Sequence, residues 1–191
     1  MIVVVDYNVS NIGSLVNMLK KIGMTAMVSN RPEDIEKADK LILPGIGSFD
    51  AGMQRLIDLN LVSLLNKKVM QEKTPALGIC LGMQLMALRS TEGKLSGLSW
   101  FDAEVVRFDF PDPKRDEKIP HMGWNFTEQK KKSRLFENMP LVPKFYFVHS
   151  YHFRAHRAED VLCVTHHGYD FVSAMENENI AGVQFHPEKS H

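Results

Sequence analysis

Hydrophobic and polar residues alternate along the first half of the chain in blocks typical of strands and helices in turn. Apolar runs bounded by polar residues predict buried strands, and apolar positions three or four apart predict helices between them. The strands are predicted at 2–5, 26–28, 40–43 and 75–79, and the helices at about 11–22, 31–38, 49–59, 61–72 and 81–89. Ser10 or Asn11 is placed to cap the first helix. This alternation favours a parallel sheet covered by helices.

The second half of the chain has a different pattern. Short β-branched or aromatic segments separated by polar turns predict strands at 103–108, 144–148, 161–165, 171–175 and 180–185. The charged, proline-containing segment at 109–118 is predicted to be a surface loop, and "LFENM" at 135–139 is helix-like. Together the two halves predict an α/β fold with an open, mostly parallel central sheet, flanking helices and a strand-rich second half.

Composition and charge limit the class of protein. The 191 residues, 44% of them hydrophobic, suffice for one sizeable core and predict a single domain over 1–191. Lys and Arg number 23, as do Asp and Glu, so the zero net charge gives no field that attracts nucleic acid or a membrane. The basic cluster at 129–134 lacks interleaved aromatic residues and is interpreted as a solvated face. No basic leader and no run of 18 apolar residues occur, which predicts a soluble, cytoplasmic protein.

Metal and disulfide chemistry are not expected. The two cysteines, Cys80 and Cys163, form neither a disulfide framework nor a Cys-x-x-Cys motif. The histidines at 152–156 and 166–167 lack a third ligand at a recognisable spacing. We therefore predict two thiols, no metal and no cofactor.

Cys80 stands apart because it lies between Gly78 and Gly82, where a strand gives way to a helical pattern in "PALGICLGMQ". A nucleophile on a strand-to-helix turn needs small neighbours and itself adopts a strained backbone. The positive end of the following helix favours a thiolate there. Cys80 is therefore a candidate nucleophile, although a cysteine in an apolar segment is more often part of the core.

A base for this nucleophile is indicated by "GVQFHPEK" at 182–189. If the strand before His186 is parallel to the strand before Cys80, both residues emerge at the C-terminal edge of the sheet, where open α/β sheets place their sites. Glu188 can then accept the other imidazole N–H and fix its tautomer. Taken alone, "HPE" is more often a turn with a solvated glutamate. Together with the cysteine turn it predicts a Cys–His–Glu triad.

Donors for a tetrahedral oxyanion are indicated by "LPGIGSF" at 43–49, which follows a strand and precedes a helix. Its glycines allow backbone N–H groups to approach a ligand closely, and it does not match a nucleotide-binding glycine motif. The expected donors are the N–H of Leu81 and one from Ile46 or Gly47. Glycines flank Ile46, so we expect its peptide to turn easily, and its N–H can then point away from the oxyanion position at rest and toward it on activation.

These motifs together resemble those of a known enzyme family. "GICLGMQ" followed by "HPEKS" resembles the class I (triad) glutamine amidotransferases, which have a flavodoxin-like fold. More narrowly, "DYNVSNIGS", "LPGIGSF", "IPHMGWN" and "FVHSYH" are in combination similar to the glutaminase subunits of imidazole glycerol phosphate synthase. The resemblance spans almost the whole chain and implies hydrolysis of glutamine to glutamate and ammonia.

The resemblance also implies roles for individual residues. Cys80, His186 and Glu188 are implied to be the triad. The glutamine-binding residues are implied to be Gln84, Gly45 and the backbone around His149 and Ser150, with Gly45 to Gly47 in the oxyanion strand.

The implied partner is a (β/α)₈ barrel cyclase that docks over the site as the second subunit of a heterodimer. It receives ammonia through its barrel for the formation of imidazole glycerol phosphate in histidine biosynthesis. The implied interface segment consists of His121, Met122, Gly123, Trp124 and Asn125.

Three alternatives stay open from the sequence. "HHGYDFVSAM" and the closing "KSH" resemble paralogues found beside bacterial surface-polysaccharide genes, whose ammonia serves the amidination of a sugar. An independent γ-glutamyl or peptide hydrolase would use the same triad without a partner, and a binding module would leave Cys80 inert toward electrophiles.

Relatives usually continue through one more helix after "HPEKS", so the sequence is expected to be truncated or unusually short.

Overall fold

The structure is a computed structural model that describes residues 1–9, 12–110, 117–140 and 142–190. The predicted cap at Ser10 or Asn11 and most of the predicted loop at 109–118 lie outside these residues. No helix in the described ranges is long and apolar enough to cross a membrane.

Helices and strands alternate in the first half, and strands dominate the second. The helices are α1 (Ile12–Lys21), α2 (Pro32–Glu36), α3 (Phe49–Asp58), α4 (Val62–Asn66), which a π-helical turn at Lys67–Gln71 continues, and α5 (Leu81–Leu85). The strands are β1 (Ile2–Val5), β2 (Ala26–Ser29), β3 (Lys40–Gly45), β4 (Ala76–Cys80), β5 (Arg89–Ser90), β6 (Ala103–Arg107), β7 (His121–Phe126), β8 (Glu128–Gln129), β9 (Lys144–His149), β10 (Tyr151–Ala155), β11 (Val161–His167), β12 (Tyr169–Asn177) and β13 (Ile180–Val183). Short 3₁₀ helices lie at Arg134–Phe136, Ala158–Asp160 and Pro187–Lys189.

An 11-stranded sheet joins the two halves in the order β2-β1-β3-β4-β13-β12-β10-β6-β5. Off this path, β11 pairs with β12, and β8 pairs with β11. The first five strands in that order are parallel, and β12, β10 and β6 then pair antiparallel. β4 lies between β3 and β13, so Gly45 is level with Cys80, and Val183 is level with Ile79. This confirms the predicted α/β fold and the predicted parallel pairing of the strands that precede Cys80 and His186.

The parallel strands bury both faces, since alternate residues enter different layers of the core. Val3, Val5, Leu41 and Leu43 pack with the helices α2 to α5 on one face. On the other face, Val4, Ile42, Ile79 and Val183 pack with α1 and with β9 of a separate two-stranded sheet formed by β7 and β9. β4 is therefore held from both sides, which fixes the position of its C-terminal residue.

The structure corrects several local expectations. The predicted helix at 81–89 ends at Leu85, because the next backbone groups bond to the segment at 97–103: Leu85 O accepts from Leu98 N at 2.8 Å and Met86 O from Trp100 N at 2.8 Å. The "LFENM" segment contributes only the end of a short 3₁₀ helix. β5, β7, β8 and β10 were not predicted, because their polar and glycine residues hide the strand pattern.

Candidate active site

Cys80 ends β4 and immediately precedes α5, and its backbone is in an unusual conformation. Its φ of 53° and ψ of −112° place a non-glycine residue at positive φ, which costs about 1–3 kcal/mol. The turn also requires its flanking glycines. A Cβ on Gly82 would overlap the carbonyl of Leu43, and one on Gly78 would lie 2.7 Å from the backbone nitrogen of Met83. The two glycines allow β3 and α5 to close tightly around the cysteine.

His186 follows β13 at the same edge of the sheet. A 3₁₀ turn at Pro187–Lys189 folds Glu188 back, so that its Oε1 lies 2.7 Å from His186 Nδ1, and both side chains are buried. A neutral imidazole bound in this way donates from Nδ1 and leaves Nε2 as the basic nitrogen. Nε2 has no hydrogen-bond partner among the described residues. The arrangement leaves a base directed by Glu188 and available to a nearby group.

The electrostatics favour the protonated imidazole. Burial by itself lowers the pKa of His186, but Cys80 and Glu188 outweigh it and raise that pKa to about 9. Negative charge close to an imidazole favours imidazolium. The surroundings therefore favour the imidazolium form of His186.

Cys80 and His186 line one cavity of about 280 Å³ at the C-terminal edge of the parallel strands. Of the predicted site residues, those that line it are Ile46, Gly47, Cys80, Leu81, Gln84, His149, Ser150 and His186. Gly45 and Glu188 border a smaller adjoining cavity of about 70 Å³, which His186 also borders. The structure thus brings together residues predicted from four separate stretches of sequence.

Backbone hydrogen bonds and dihedral angles define the conformation of the segment 45–47 beside this cavity. The Ile46 N–H donates to Val9 O at 2.7 Å and is not available to a ligand. Gly47 has a φ of 108°, and the Tyr7 hydroxyl donates to Pro44 O. Of the predicted donors, the Ile46 N–H is therefore engaged with Val9 O.

Two buried side-chain amides lie near Cys80, the candidate nucleophile. Gln84 Nε2 donates to Tyr151 O at 3.1 Å and to Gln184 Oε1 at 3.0 Å, so toward a ligand Gln84 acts only as an acceptor. Gln184 Nε2 donates to Cys80 Sγ at 3.7 Å. Sequence reasoning missed Gln184, and the signal was a glutamine inside the apolar run "GVQF", since a buried polar side chain needs a partner.

Two further residues near the site were not predicted. Glu92 lines the cavity, and its Oε2 accepts from Phe49 N at 2.8 Å. Tyr7 is fully buried, and burial together with the charge of Cys80 raises the pKa of its hydroxyl. Tyr7 lies in the motif "DYNVSNIGS", but no role followed from that motif, and each of the two residues reaches the site through tertiary packing.

The predicted interface segment is the strand β7, which pairs with β9, and β9 carries the cavity residues Val148 and His149. Alternate side chains of β7 are exposed: Met122 to 63%, Trp124 to 48% and Phe126 to 57%. We call these three residues the β7 face. His121, which was predicted with the interface, is buried, so its side chain is not part of this face.

Cys163 lies in β11 with no base paired to it in the described contacts. Burial and the charge of Glu176 raise the pKa of its thiol to about 12. Among the described residues, no group of three or more His, Cys, Asp or Glu is placed to hold a metal ion.

The fold and this site together define a class of enzyme. The family model for "Glutamine amidotransferase class-I" matches residues 3–191, and the chain belongs to that family. It is 50% identical over 191 residues to the imidazole glycerol phosphate synthase subunit HisH 2 of Methanococcus maripaludis, covering 100% of this chain and 93% of that protein. It is 47% identical to the HisH 2 subunit of Pseudomonas aeruginosa and 38% identical to HisH of Leptospira borgpetersenii, with 100% of this chain and 93% or 94% of those proteins covered.

Solved structures show the same fold at lower identity. A glutamine amidotransferase crystal structure has a TM-score of 0.75 and 18% identity, covering 97% of this chain and 90% of that one. The glutaminase domain of Trypanosoma brucei CTPS with bound acivicin has a TM-score of 0.67 and 18% identity, covering 98% and 85%. The flavodoxin-like fold expected from the motifs is therefore confirmed.

Proposed function

We propose that this chain hydrolyses glutamine at Cys80 and passes the ammonia to a (β/α)₈ barrel subunit that forms imidazole glycerol phosphate in histidine biosynthesis. The observation that carries the proposal is the shared cavity of Cys80 and His186, with Glu188 bound to the far side of the imidazole. The high identity to imidazole glycerol phosphate synthase subunits over the whole chain supports the choice of pathway.

The proposed chemistry proceeds through a thioester. The Cys80 thiolate attacks the side-chain amide carbon of glutamine, and backbone donors, including the Leu81 N–H, stabilise the oxyanion. His186 gives its proton to the amide nitrogen, the C–N bond breaks, and ammonia leaves. Water that has lost a proton to His186 then attacks the thioester, which releases glutamate and restores the thiolate.

The cavity offers complementary groups for the free amino acid. The Gln84 Oε1 atom and the Glu92 carboxylate suit the α-ammonium group of glutamine, since both are acceptors. The backbone from His149 to Tyr151 lines the same cavity, and we propose that it contacts the rest of the glutamine molecule. A glutamine inside a peptide chain or at its C-terminus lacks the free ammonium, so this set favours free glutamine over such peptides.

The β7 face is the proposed docking surface for the barrel. Its three large apolar side chains are exposed side by side on the strand next to the cavity wall, and such patches mark interaction sites. Ammonia is largely protonated in neutral water and is then no nucleophile. A partner that covers the cavity mouth gives the ammonia a dry route to the second reaction.

The engaged Ile46 N–H supplies a reason for control by the partner. One missing oxyanion donor lowers a rate by roughly 10²- to 10³-fold. A partner that binds its own substrate more tightly when this peptide is turned must, by linkage, favour the turned state in this chain. We therefore propose that the isolated chain is a poor glutaminase.

Glutamate release by the isolated chain, by the complex with the barrel cyclase, and by the complex with the barrel's substrate tests the proposal. We expect the last rate to exceed the first by about 10²- to 10³-fold. A full rate in the isolated chain would instead indicate an independent hydrolase. Activation by a sugar-amidating synthase in place of the cyclase would move the chain to the surface-polysaccharide alternative.

A further inference from the structure

A continuous series of hydrogen bonds leads from β7 to the candidate nucleophile. It begins at Asn125, whose Nδ2 lies 3.1 Å from His121 Nε2 and donates to His166 O at 2.8 Å. His121 Nδ1 lies 3.0 Å from His149 Nε2, and these two histidines are paired across β7 and β9. We call the whole series the hydrogen-bond chain; its members in order are Asn125, His121, His149, the Tyr151 carbonyl, Gln84, Gln184 and Cys80.

The second part of the hydrogen-bond chain enters the active site. His149 Nδ1 lies 2.8 Å from Tyr151 O, which also accepts from Gln84 Nε2 at 3.1 Å. Gln84 then donates to Gln184 Oε1 at 3.0 Å, and Gln184 Nε2 reaches Cys80 Sγ at 3.7 Å. A carbonyl has two lone pairs, so Tyr151 O accepts both donors without conflict.

The two histidines have assignable tautomers. A carbonyl only accepts, so His149 carries its proton on Nδ1 toward Tyr151 O and accepts at Nε2. His121 therefore donates from Nδ1 to His149 Nε2. The Nε2 atom of His121 accepts from Asn125 Nδ2, because an amide nitrogen can only donate. Burial lowers the pKa of His121 to about 4, with the nearby His167 adding to the effect, and it lowers that of His149 well below its usual value. Both rings are neutral near pH 7, as this assignment needs.

The side chains in the middle of the hydrogen-bond chain are buried, and Gln84 and His149 also border the active-site cavity. His121, His149, Gln84 and Gln184 are all buried, while Asn125 is half-buried. A donor or acceptor lost inside such a series leaves its neighbour unsatisfied, so the members depend on one another. Loss of a hydrogen bond at one end of the series therefore changes the position or orientation of the next side chain.

We propose that the hydrogen-bond chain is a positioning device through which β7 sets the reactivity of Cys80, with Gln184 as the residue that holds the sulfur. The meaning for regulation rests on the proposed function, because β7 carries the proposed docking face. The coupling itself is a property of this chain alone. Its test therefore needs neither glutamine turnover nor a partner, and its failure is distinguishable from failure of the proposed function.

The test measures the rate of alkylation of Cys80 by iodoacetamide, followed by mass spectrometry of the peptide at 75–84. Gln184→Met removes the donor to the sulfur; we expect a rate lowered by about 10-fold near neutral pH and a rate–pH profile with its midpoint moved upward. Cys163 is an internal control for folding, since it is fully buried and labels only when the core opens. A merely structural role of Gln184 would leave the midpoint unchanged.

The coupling is tested by Asn125→Leu, which keeps the side-chain shape and removes the donor to His121. We expect a change in the Cys80 rate of about 2- to 10-fold that disappears in the Gln184→Met background. The matched control is His166→Asn, because the hydrogen bond of His166 to Asn125 uses only its backbone carbonyl. The alkylation rate of Cys80 in this variant should equal that of the wild-type chain. No change in Asn125→Leu, or the same factor in both backgrounds, would overturn the proposal.

A second variant keeps the test decisive if Asn125→Leu labels both cysteines. Asn125→Asp replaces the donor by an acceptor, so His121 must then donate from Nε2. We expect nitrogen NMR of the imidazoles to show the neutral Nδ1–H tautomer of His121 in the wild-type chain and protons on both Nδ1 and Nε2 in Asn125→Asp, because the new carboxylate favours the imidazolium. An Nε2–H tautomer in the unchanged chain would contradict the direction of the hydrogen-bond chain.

Discussion

Cys80 and Cys163 are both buried, with 7% and 0% of their surfaces exposed, yet the regions around them differ in backbone and in neighbours. Cys80 lies at positive φ on a turn at the C-terminal edge of parallel strands, next to a cavity, an imidazole and an amide donor. Cys163 lies within β11, where burial and Glu176 raise the pKa of its thiol. The comparison teaches that burial alone does not separate the proposed nucleophile from a core thiol, whereas the turn and the neighbouring imidazole do.

The largest expected difference between the two regions is in catalysis. Cys80→Ala removes the nucleophile and should lower glutamine hydrolysis by on the order of 10⁴-fold or more, as measured by glutamate release from the complex. Synthesis driven by added ammonia should be nearly unchanged, because only the nitrogen source is lost. The matched substitution Cys163→Ala should leave hydrolysis within about twofold, and equal damage from both changes would remove the distinction.

The next comparison separates the base from the residue that orients it. His186→Ala should lower hydrolysis about as much as Cys80→Ala, since both act on the same step. Glu188→Gln should cause a loss roughly 10- to 100-fold smaller, because the amide still holds the ring although it cannot stabilise the imidazolium. Steady-state rates of the two variants decide this, and a Glu188→Gln rate at or below the His186→Ala rate would contradict the roles.

The turn around Cys80 should also differ in stability from an open glycine turn. Gly82→Ala forces a Cβ against the Leu43 carbonyl and should lower the free energy of unfolding by about 3 kcal/mol or more. The control is Gly23→Ala, where φ is 77° and nothing lies within 4 Å of the added Cβ, so the cost should be about 1 kcal/mol from the backbone alone. Denaturant unfolding of both variants gives the two values, and equal losses would contradict the close packing of the turn.

How far the sequence predicts this molecule depends on whether a feature is local. The turn at Cys80 was predictable because its cause lies in adjacent residues: an apolar strand, two glycines and a helical pattern. His186 and Glu188 were predictable for the same reason, together with the rule that parallel strands end at one edge.

The features that sequence reasoning missed depend on distant partners. α5 ends early because the segment at 97–103 takes its backbone groups, and β7 is a strand because β9 pairs with it. Gln184 meets Gln84 across 100 positions of sequence, and Glu92 meets Phe49 across 43. No local pattern encodes such contacts.

A smaller effect should appear in the titration of His186. Its pKa of about 9 means that the imidazolium is favoured in the folded chain. This contribution to stability is fully present below the ordinary value of 6.5 and is lost as pH rises through about 9, with a maximum of about 3 kcal/mol. NMR titration should give a lower midpoint in Glu188→Gln and in Cys80→Ala, since each removes one of the groups that raise the pKa. An unchanged midpoint in both would show that neither group interacts with the ring.

The most direct test of the central claim is covalent labelling with a glutamine analogue that carries an electrophile in place of its side-chain amide. The complex is treated with the analogue, digested, and analysed by mass spectrometry for adducts on the peptides that contain Cys80 and Cys163. We predict one adduct per chain, on Cys80, with protection by glutamine and loss of the adduct in His186→Ala. An adduct on Cys163, or labelling of Cys80 that glutamine does not slow, would contradict the claim that the turn and its paired base create the glutaminase site.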